Sequence, residues 1–477
     1  MQNMATAKIV RKYIIKTAIK THAPIRIASG IDDGITDIIV LKTKENKALI
    51  PGSSLAGVLR AAIGKIYGQA AAEFLFGFIN NEAAGHQSMI NVGDIVLNSH
   101  EVVKYDGVAI DTFRGVGKSG QKYDYEAVER GAEGFLEIEI TVRQRDLADA
   151  VHYEFLHDEF KLGQDFTGEL VATIADLLTQ GLNVGSLTAK GYGLIKSSQN
   201  VNVYCFDFQK TDAVTDWLNY ITDGSTGEPW YVGKNNMLNN TSAKDFVMEA
   251  CFSIKNSLII RDYNAVTEED GDKNVKLLTS LKSRNDYLIP GTSIKGVIRN
   301  RAAKILFTLS NGKNANDFLK NLMGYAENKS QKSRFSVENV YLDSSKIIAE
   351  EQYRNRINRF TGGTISGALF AEKVIRQKNE NDMTICLKAK VSECLPQEAG
   401  LVLLVLKDLW LGRLAIGGGK GIGRGVLIGR KCRILYNGEE YVIDNEKLYG
   451  DSERNLLKLE AYVTELVEYI QKGAVHS

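Results

Sequence analysis

Two stretches of this chain say nearly the same thing: IPGSSLAGVLRAAIG from Ile50 and IPGTSIKGVIRNRAA from Ile289. A turn, two hydroxyl residues, a glycine and an arginine recurring about 240 residues apart point to a duplicated domain. Two more landmarks recur in the same order. AIDTFRGV begins at Ala109 and RINRFTGG at Arg356. A glycine-rich loop then closes each half, LNVGSLTAKGYG from Leu182 and LAIGGGKGIGRG from Leu414. Gly185, Gly191 and Gly193 fall at the same offsets as Gly417, Gly423 and Gly425.

The segments between the landmarks match in type. Leu55, Val58, Leu59, Ala62, Ile63 and Ile66 form one helical face, nearly repeated by Ile294, Val297, Ile298, Ala302 and Ile305. The serines or threonine ahead of each helix suit an N-cap. Period-two alternation over Leu136–Val142 and Met383–Val391 predicts half-buried strands. Apolar helices are expected around Leu170–Leu178 and Leu401–Leu411, and each half opens on an extended stretch, Ile9–Ile19 and Phe246–Ile254. This is a split β-α-β plan. The expected fold class is α+β, with two tandem ferredoxin-like (RRM-like) domains carrying inserted finger and thumb segments. The halves are placed at 1–206 and 245–435. Residues 207–244, with Gly224, Ser225, Gly227 and Pro229, read as a linker, and 436–477 as a helical tail.

Composition narrows the function classes. The chain has 477 residues and a formal net charge of +1, so whole-molecule charge does not point to nucleic acid, whereas local charge does. Arg413, Lys420, Arg424, Arg430, Lys431 and Arg433 form a run with no acid among them, and Arg354, Arg356 and Arg359 form a second. The plain reading of such runs is a solvated face. The five cysteines are odd in number and show no CxxC pair, which argues against a zinc site or a disulfide framework. No apolar stretch has the length of a signal peptide or a membrane span, and the cytoplasm is the default compartment.

The landmarks suggest anion binding. Hydroxyls at a helix start sit among free N–H groups and the positive end of the dipole, so Ser53, Ser54, Thr292 and Ser293 are candidate phosphate contacts. Simple capping explains one copy; two copies, each paired with a glycine loop, favour phosphate. The loops follow a helix and open a strand, which is the wrong context for a dinucleotide fingerprint, and neither supplies the Walker lysine and hydroxyl. Their backbone N–H groups can form an anion nest, with Lys190, Tyr192, Lys420 and Arg424 adding charge or a stacking surface. Of six histidines only His22 lies near this face. The loop before Pro51 carries Asp32, Asp33 and Asp37, and the loop before Pro290 carries Asp262, Asp270 and Asp272. Acid-rich loops are usually solvated surface; beside a phosphate groove an acid can orient a metal ion or an attacking hydroxyl.

Taken together, the aspartate loop ahead of IPGSSL, the elements Ile110-Asp111-Thr112-Phe113-Arg114-Gly115 and Ile357-Asn358-Arg359-Phe360-Thr361-Gly362, and the terminal glycine loop resemble the RAMP superfamily. The likeness is to backbone subunits of type III CRISPR effector complexes, proteins of antiviral defence, and the two fused copies resemble the tandem subunits of type III-D or related systems. The resemblance implies that each copy lies along a CRISPR guide RNA and grips its backbone without reading sequence. Each thumb is then expected to push between bases of the guide–target duplex. It assigns RNA contacts to Arg60, Thr112, Arg114, Lys295, Arg299, Asn358 and Arg359, beside the hydroxyl and loop residues above. In target-cleaving members an aspartate of the loop before IPGSSL cuts target RNA with a divalent metal, expected to be Mg2+. Asp37 matches that position best, with Asp33 next; in the second half Asp272 is nearest, with Asp270 next. Other type III effector subunits are the expected protein partners. Two alternatives remain open: a catalytically inactive guide-RNA scaffold, and a precursor-processing endoribonuclease relying on His22.

Overall fold

Alternation along Ile9–Thr21 sends Tyr13, Ile15 and Ile19 to one face, and in the computed structural model of the protein all three are fully buried. The structure describes residues 7–30, 36–79, 85–98, 101–111, 117–149, 166–235, 242–262, 277–310, 314–325, 330–444, 447–449 and 452–475. The chain divides into two units. One holds residues 1–103, 126–186 and 193–240; the other holds 104–125, 187–192 and 241–477. The outer part of the first half's hairpin and the tip of its glycine loop therefore belong to the second unit.

The first unit runs Ile9–Thr21 (β1), Gly52–Tyr67 (α1), Gln69–Phe76 (α2), Ile90–Val92 (β2), Glu133–Arg143 (β3), Phe166–Gln180 (α3), Leu194–Ser197 (β4), Asn202–Asp207 (β5), Ala213–Asp223 (α4) and Tyr231–Val232 (β6). Antiparallel pairing puts Tyr13 of β1 opposite Ile140 of β3, with β2 beyond, while β4 and β5 pair with the other edge of β1. The order second–third–first–fourth strand is the ferredoxin-like order. One sheet face packs on helices: Leu136, Ile138 and Ile140 share a core with Leu55, Leu59 and Ile63 of α1 and with Leu170, Ile174 and Leu178 of α3. The opposite face is covered where a linker was expected. Residues 207–244 hold α4, whose Trp217 packs on Phe206 with ring centroids 5.2 Å apart. The Lys12 and Lys16 ammoniums lie over the rings of Trp217 and Tyr220 at 4.4 and 4.3 Å. Gly224 and Pro229, the breaker signals, lie after this helix, which ends with the Gly224 N–H donating to the Tyr220 carbonyl at 2.9 Å.

The second unit repeats the plan: Phe246–Ile254 (β7), Gly291–Ser310 (α5), Ala315–Met323 (α6), Phe335–Val337 (β8), Ile347–Arg354 (β9), Phe370–Gln377 (β10), Ile385–Val391 (β11), Pro396–Trp410 (α7), Leu427–Tyr436 (β12), Glu439–Asp444 (β13), Lys447–Tyr449 (β14) and Ser452–Val475 (α8). Its sheet order is β8-β11-β7-β12-β13-β14, the same four-strand arrangement extended at one edge. Phe246, Met248, Ala250 and Phe252 meet Ile294 and Ile298 of α5 and Leu401, Val405 and Leu409 of α7. The tail forms α8, which buries Leu466 and Ile470. It lies so close to α7 that a Cβ on Gly400 would stand 2.1 Å from the Tyr462 carbonyl oxygen.

Each half inserts a hairpin: Val102–Ile110 with Gly117–Val128, and β9 with β10, where Arg354 faces Phe370. RINRFTGG thus falls at the end of the second hairpin, and Ala109 and Ile110 of AIDTFRGV end the first strand of the other, with Thr112 to Val116 outside the described residues. One expectation is corrected. Cys251 and Cys386 stand opposite each other on β7 and β11 and form a disulfide. The pairing is set by strand register across a separation of 135 residues, which Cys spacing in the sequence does not reveal. Among the described residues no helix is long and apolar enough to cross a membrane.

Candidate nucleic-acid interface

The two repeated helices begin in one way. Pro51 is the N-cap of α1, extended at φ −61° and ψ 139°, and no side chain of its own caps the helix. Ser54 N–H donates to the Pro51 carbonyl at 2.9 Å, as Ser293 N–H does to Pro290 at 2.9 Å. The capping acceptor comes instead from another segment. Gly52 N–H donates to Asp94 Oδ1 at 2.7 Å, and Gly291 N–H donates to Asn339 Oδ1 at 2.8 Å. The hydroxyl residues thus stand inside the first turn rather than at the expected N-cap, with Ser53 exposed and Ser54, Thr292 and Ser293 half-buried. Neither helix has an acid in its own first turn, but the Asp94 carboxylate already sits on the start of α1, whereas the start of α5 is met by the neutral Asn339 amide.

Asp94 and Asn339 are residues the motif reading missed, although the signal is present: INVGDIVLNS from Ile90 parallels FSVENVYLDS from Phe335. The helix that follows the repeated phrase also ends twice alike, FLFGF at Phe74 and NLMGY at Asn321, with Gly77 and Gly324 at φ 76° and 74°.

The glycine loops share one hydrogen-bond frame. Val184 N–H donates to Gly193 O and Ile416 N–H to Gly425 O, both at 2.9 Å. Ser186 N–H donates to Arg26 O and Gly418 N–H to Ile259 O, both at 2.8 Å. A Cβ on Gly193 would sit 2.1 Å from Val184 O, and one on Gly425 would sit 1.9 Å from Ile416 O, so glycine is obligatory at both places. Between these ties each loop makes a single 3-10 turn, Thr188–Lys190 and Lys420–Ile422.

The expected RNA contacts divide sharply. Ser53, Arg359 and Lys420 are exposed, and Arg60, Lys190, Arg299 and Asn358 are half-buried. Asn358 shapes the hairpin end, its Oδ1 accepting the Phe360 N–H at 2.8 Å, and this turn presents the Phe360 ring at 99% exposure. Arg299 Nη1 donates to the Gly324 carbonyl at 3.2 Å. Three expected contacts are corrected, because the protein itself occupies them. Tyr192 is 1% exposed, its hydroxyl sharing a hydrogen bond with Tyr125 at 3.0 Å, so its ring offers no stacking surface. Arg424 is buried on Glu372, a fully buried carboxylate that also meets Arg261 at 3.0 Å and Arg354 at 3.6 Å. Burial raises the Glu372 carboxyl, but hydrogen bonds from Arg424 and Arg261 outweigh it and hold the group below its usual value. Lys295 is buried as well, donating to Ser333 Oγ and Phe335 O at 2.7 Å each. Burial, then the charges of Lys190 and Arg299, push its ammonium down to about 7. The basic run is likewise no single free face: Arg430 binds Ser253 Oγ at 2.9 Å and Arg433 binds Glu440 at 2.5 Å, leaving Arg413, Lys420 and Lys431 exposed.

Asp37 is exposed, on a segment fastened by Glu126. Glu126 N–H donates to Ile38 O at 2.9 Å, and its carboxylate accepts the Val40 N–H at 3.1 Å. Asp33, Asp270, Asp272, Thr112 and Arg114 lie outside the described residues. Among the described residues no three His, Cys, Asp or Glu side chains gather into a metal cage. His22 is exposed, and burial followed by Lys196 and Lys20 lowers its imidazole below the ordinary value.

A twice-built ferredoxin-like scaffold with a hairpin arm and a glycine loop in each copy defines a tandem protein of one kind. The RAMP superfamily profile matches residues 18–196 and again 225–428, and the chain belongs to that superfamily. RAMP proteins are CRISPR-associated RNA-binding proteins that act in multisubunit complexes. Comparison with curated proteins gave no match.

Proposed function

We propose that this chain is a tandem backbone subunit of a type III CRISPR effector, holding guide RNA without sequence preference and cutting the paired target beside Asp37. The observation that carries the reading is the exposed Asp37 on the loop that leads into the repeated helix start, in a chain of this superfamily. Ser53, Arg359 and Lys420, all exposed, offer contacts to phosphate and sugar, which set register without reading bases. Phe360 is the apolar, solvent-facing group suited to enter between bases.

Cleavage then asks little of the protein. With the target nucleotide turned out of the stack, its 2′-hydroxyl lies in line with its own phosphate. Alignment of this kind supplies roughly 7–11 kcal/mol of barrier reduction in favourable cases. Asp37 orients the hydroxyl and accepts its proton. The O2′–P bond forms and the P–O5′ bond breaks, the leaving 5′-oxygen taking a proton from water, and the products are a 2′,3′-cyclic phosphate and a 5′-hydroxyl. A divalent ion bound beside Asp37 would neutralise charge on the attacked phosphate. Asp272 is the candidate for the same role in the second half.

The test is target cleavage by the assembled complex in Mg2+ with Asp37→Ala and Asp272→Ala. Each substitution is expected to abolish one cut and leave RNA binding intact. Cuts persisting in the double variant assign the chain to the scaffold role, and metal-independent cutting of precursor RNA that needs His22 assigns it to processing.

A further inference from the structure

Alternation along β7 sends Phe246, Met248, Ala250 and Phe252 to the helix side, so Glu249 and Cys251 stand on the outer face of the second sheet. Strand register lays out two rows there. Lys388, Glu249 and Arg433 lie side by side on β11, β7 and β12, and Cys386, Cys251, Lys431 and Asp444 form the next row, which reaches β13. The Cα atoms of Cys251 and Cys386 are 4.0 Å apart and their sulfurs are bonded. Both cysteines are half-buried, with Glu249, Lys388 and Lys431 exposed around them.

The first unit has no such link at this place. Ala18 and Cys251 each stand seven residues before a matching bridge, Ile25–Val128 and Leu258–Ile375, and the residue opposite Ala18 is Phe135. Of the two duplicated sheets, only the second is fastened at this point. The bond spans a sequence separation of 135 residues, within which lie α5, α6 and the hairpin β9–β10. A link of that span restricts the unfolded chain and so stabilises the unit that carries it. Its half-exposed position also opens it to exchange, since solvent-reachable disulfides are the labile ones. Other thiols of this unit compete poorly: Cys394 and Cys432 are buried, and burial pushes both up to about 12.

We propose that Cys251–Cys386 is a reversible thiol-exchange site for a small anionic thiol of the glutathione class, and that its opening loosens the second unit and leaves the first unchanged. The carboxylates of such a thiol are drawn to Lys388 and Lys431, and the Lys431 ammonium beside Cys251 favours that sulfur as the departing thiolate. A glutathione thiolate attacks Cys386 Sγ. The new S–S bond forms as the Cys251–Cys386 bond breaks, and the Cys251 thiolate takes a proton from water. A second glutathione thiolate attacks the glutathionyl sulfur, and Cys386 leaves as a thiolate that is protonated in turn. The protein disulfide gains two electrons, and two glutathione molecules are oxidised to one glutathione disulfide.

The experiment exposes the oxidised full chain, without RNA or denaturant, to millimolar glutathione. Thiol release and peptide masses are followed, which separates this pair from Cys205 of the first unit. Cys386 should carry the glutathionyl group transiently, and both cysteines should end as thiols. Lys431→Glu should slow the reaction ~3-fold or more at low salt. Peptide-resolved hydrogen exchange across a urea series then compares the oxidised and reduced wild-type chains, a comparison that needs no variant. Reduction should lower the midpoint at which β7 and β11 lose protection by about 1 M and leave that of β1 and β3 in place. Cys251→Ala combined with Cys386→Ala should match the reduced chain with or without glutathione. A bond that resists glutathione until urea unfolds the chain overturns the proposal, as do cysteines that stay unpaired under glutathione disulfide. Reduction that leaves the β7 and β11 midpoint unchanged, or lowers both units alike, overturns it equally, and a rate indifferent to Lys431→Glu overturns the choice of an anionic thiol. RNA takes no part in the measurement, so its failure is separate from any failure of the RNA-cleaving reading.

Discussion

Three guanidinium groups converge on the carboxylate of Glu372, and one of them, Arg424, is 3% exposed. Glu372→Gln keeps the shape but leaves Arg424 buried without a counter-charge, and is expected to cost about 3 kcal/mol in urea unfolding. The folded carboxyl lies below its unfolded value, so its contribution is present above the unfolded value and is lost as pH falls through the folded one; the variant should lack that acid limb. Lys295 works in the opposite sense. Its folded value of about 7 lies below that of an unfolded lysine, so between the two the unfolded chain binds the extra proton and stability rises with pH. Lys295→Met should flatten the rise in urea midpoint between about pH 7 and about pH 9.5. These residues show where reading the sequence stops. Arg424 stands in a run without acids, and its partner Glu372 lies 52 residues earlier, brought to it only by the hairpin β9–β10. Tyr192 looks like a stacking ring until Tyr105 and Tyr125 of the first hairpin close around it.

Among the elements, helices and strands with strong periodicity were legible. Leu55, Leu59 and Ile63 predict the buried face of α1, and the alternation in Phe246–Ile254 predicts β7. Misreadings came where a local signal had a distant answer. The serines after Pro51 resemble a cap, yet the acceptor for the Gly52 N–H is Asp94 on another segment. Gly224 and Pro229 suggest a linker, yet the preceding α4 has apolar Trp217 and Tyr220 that complete the first sheet's outer face. The second hairpin carries an element-scale prediction. Phe360 contributes almost nothing to packing, so Phe360→Ala should leave the melting temperature within the range of ordinary surface changes, about 0.5 kcal/mol or less in stability. On the proposed function it should slow target cutting next to this arm while guide binding persists, read by gel assays of cleavage and retention.

For the whole molecule, duplication was the most readable property, because a repeated phrase needs no structural knowledge to be noticed. The repeat proves deeper than the three landmarks: helix starts, capping positions, helix ends and loop frames all recur with hydrogen bonds alike to about 0.1 Å. Sequence did not reveal that the first half's loop tip belongs to the second unit, since that depends on a backbone-to-backbone fit at Gly191 and Gly291. The central claim is that two equivalent cradles hold one RNA strand by its backbone. The direct measurement is a hydroxyl-radical footprint on guide RNAs of unrelated sequence bound to the full chain. The account predicts two adjacent protected stretches of similar length that keep their spacing when the bases are changed. A single protected stretch, or protection that moves with the base sequence, would contradict it.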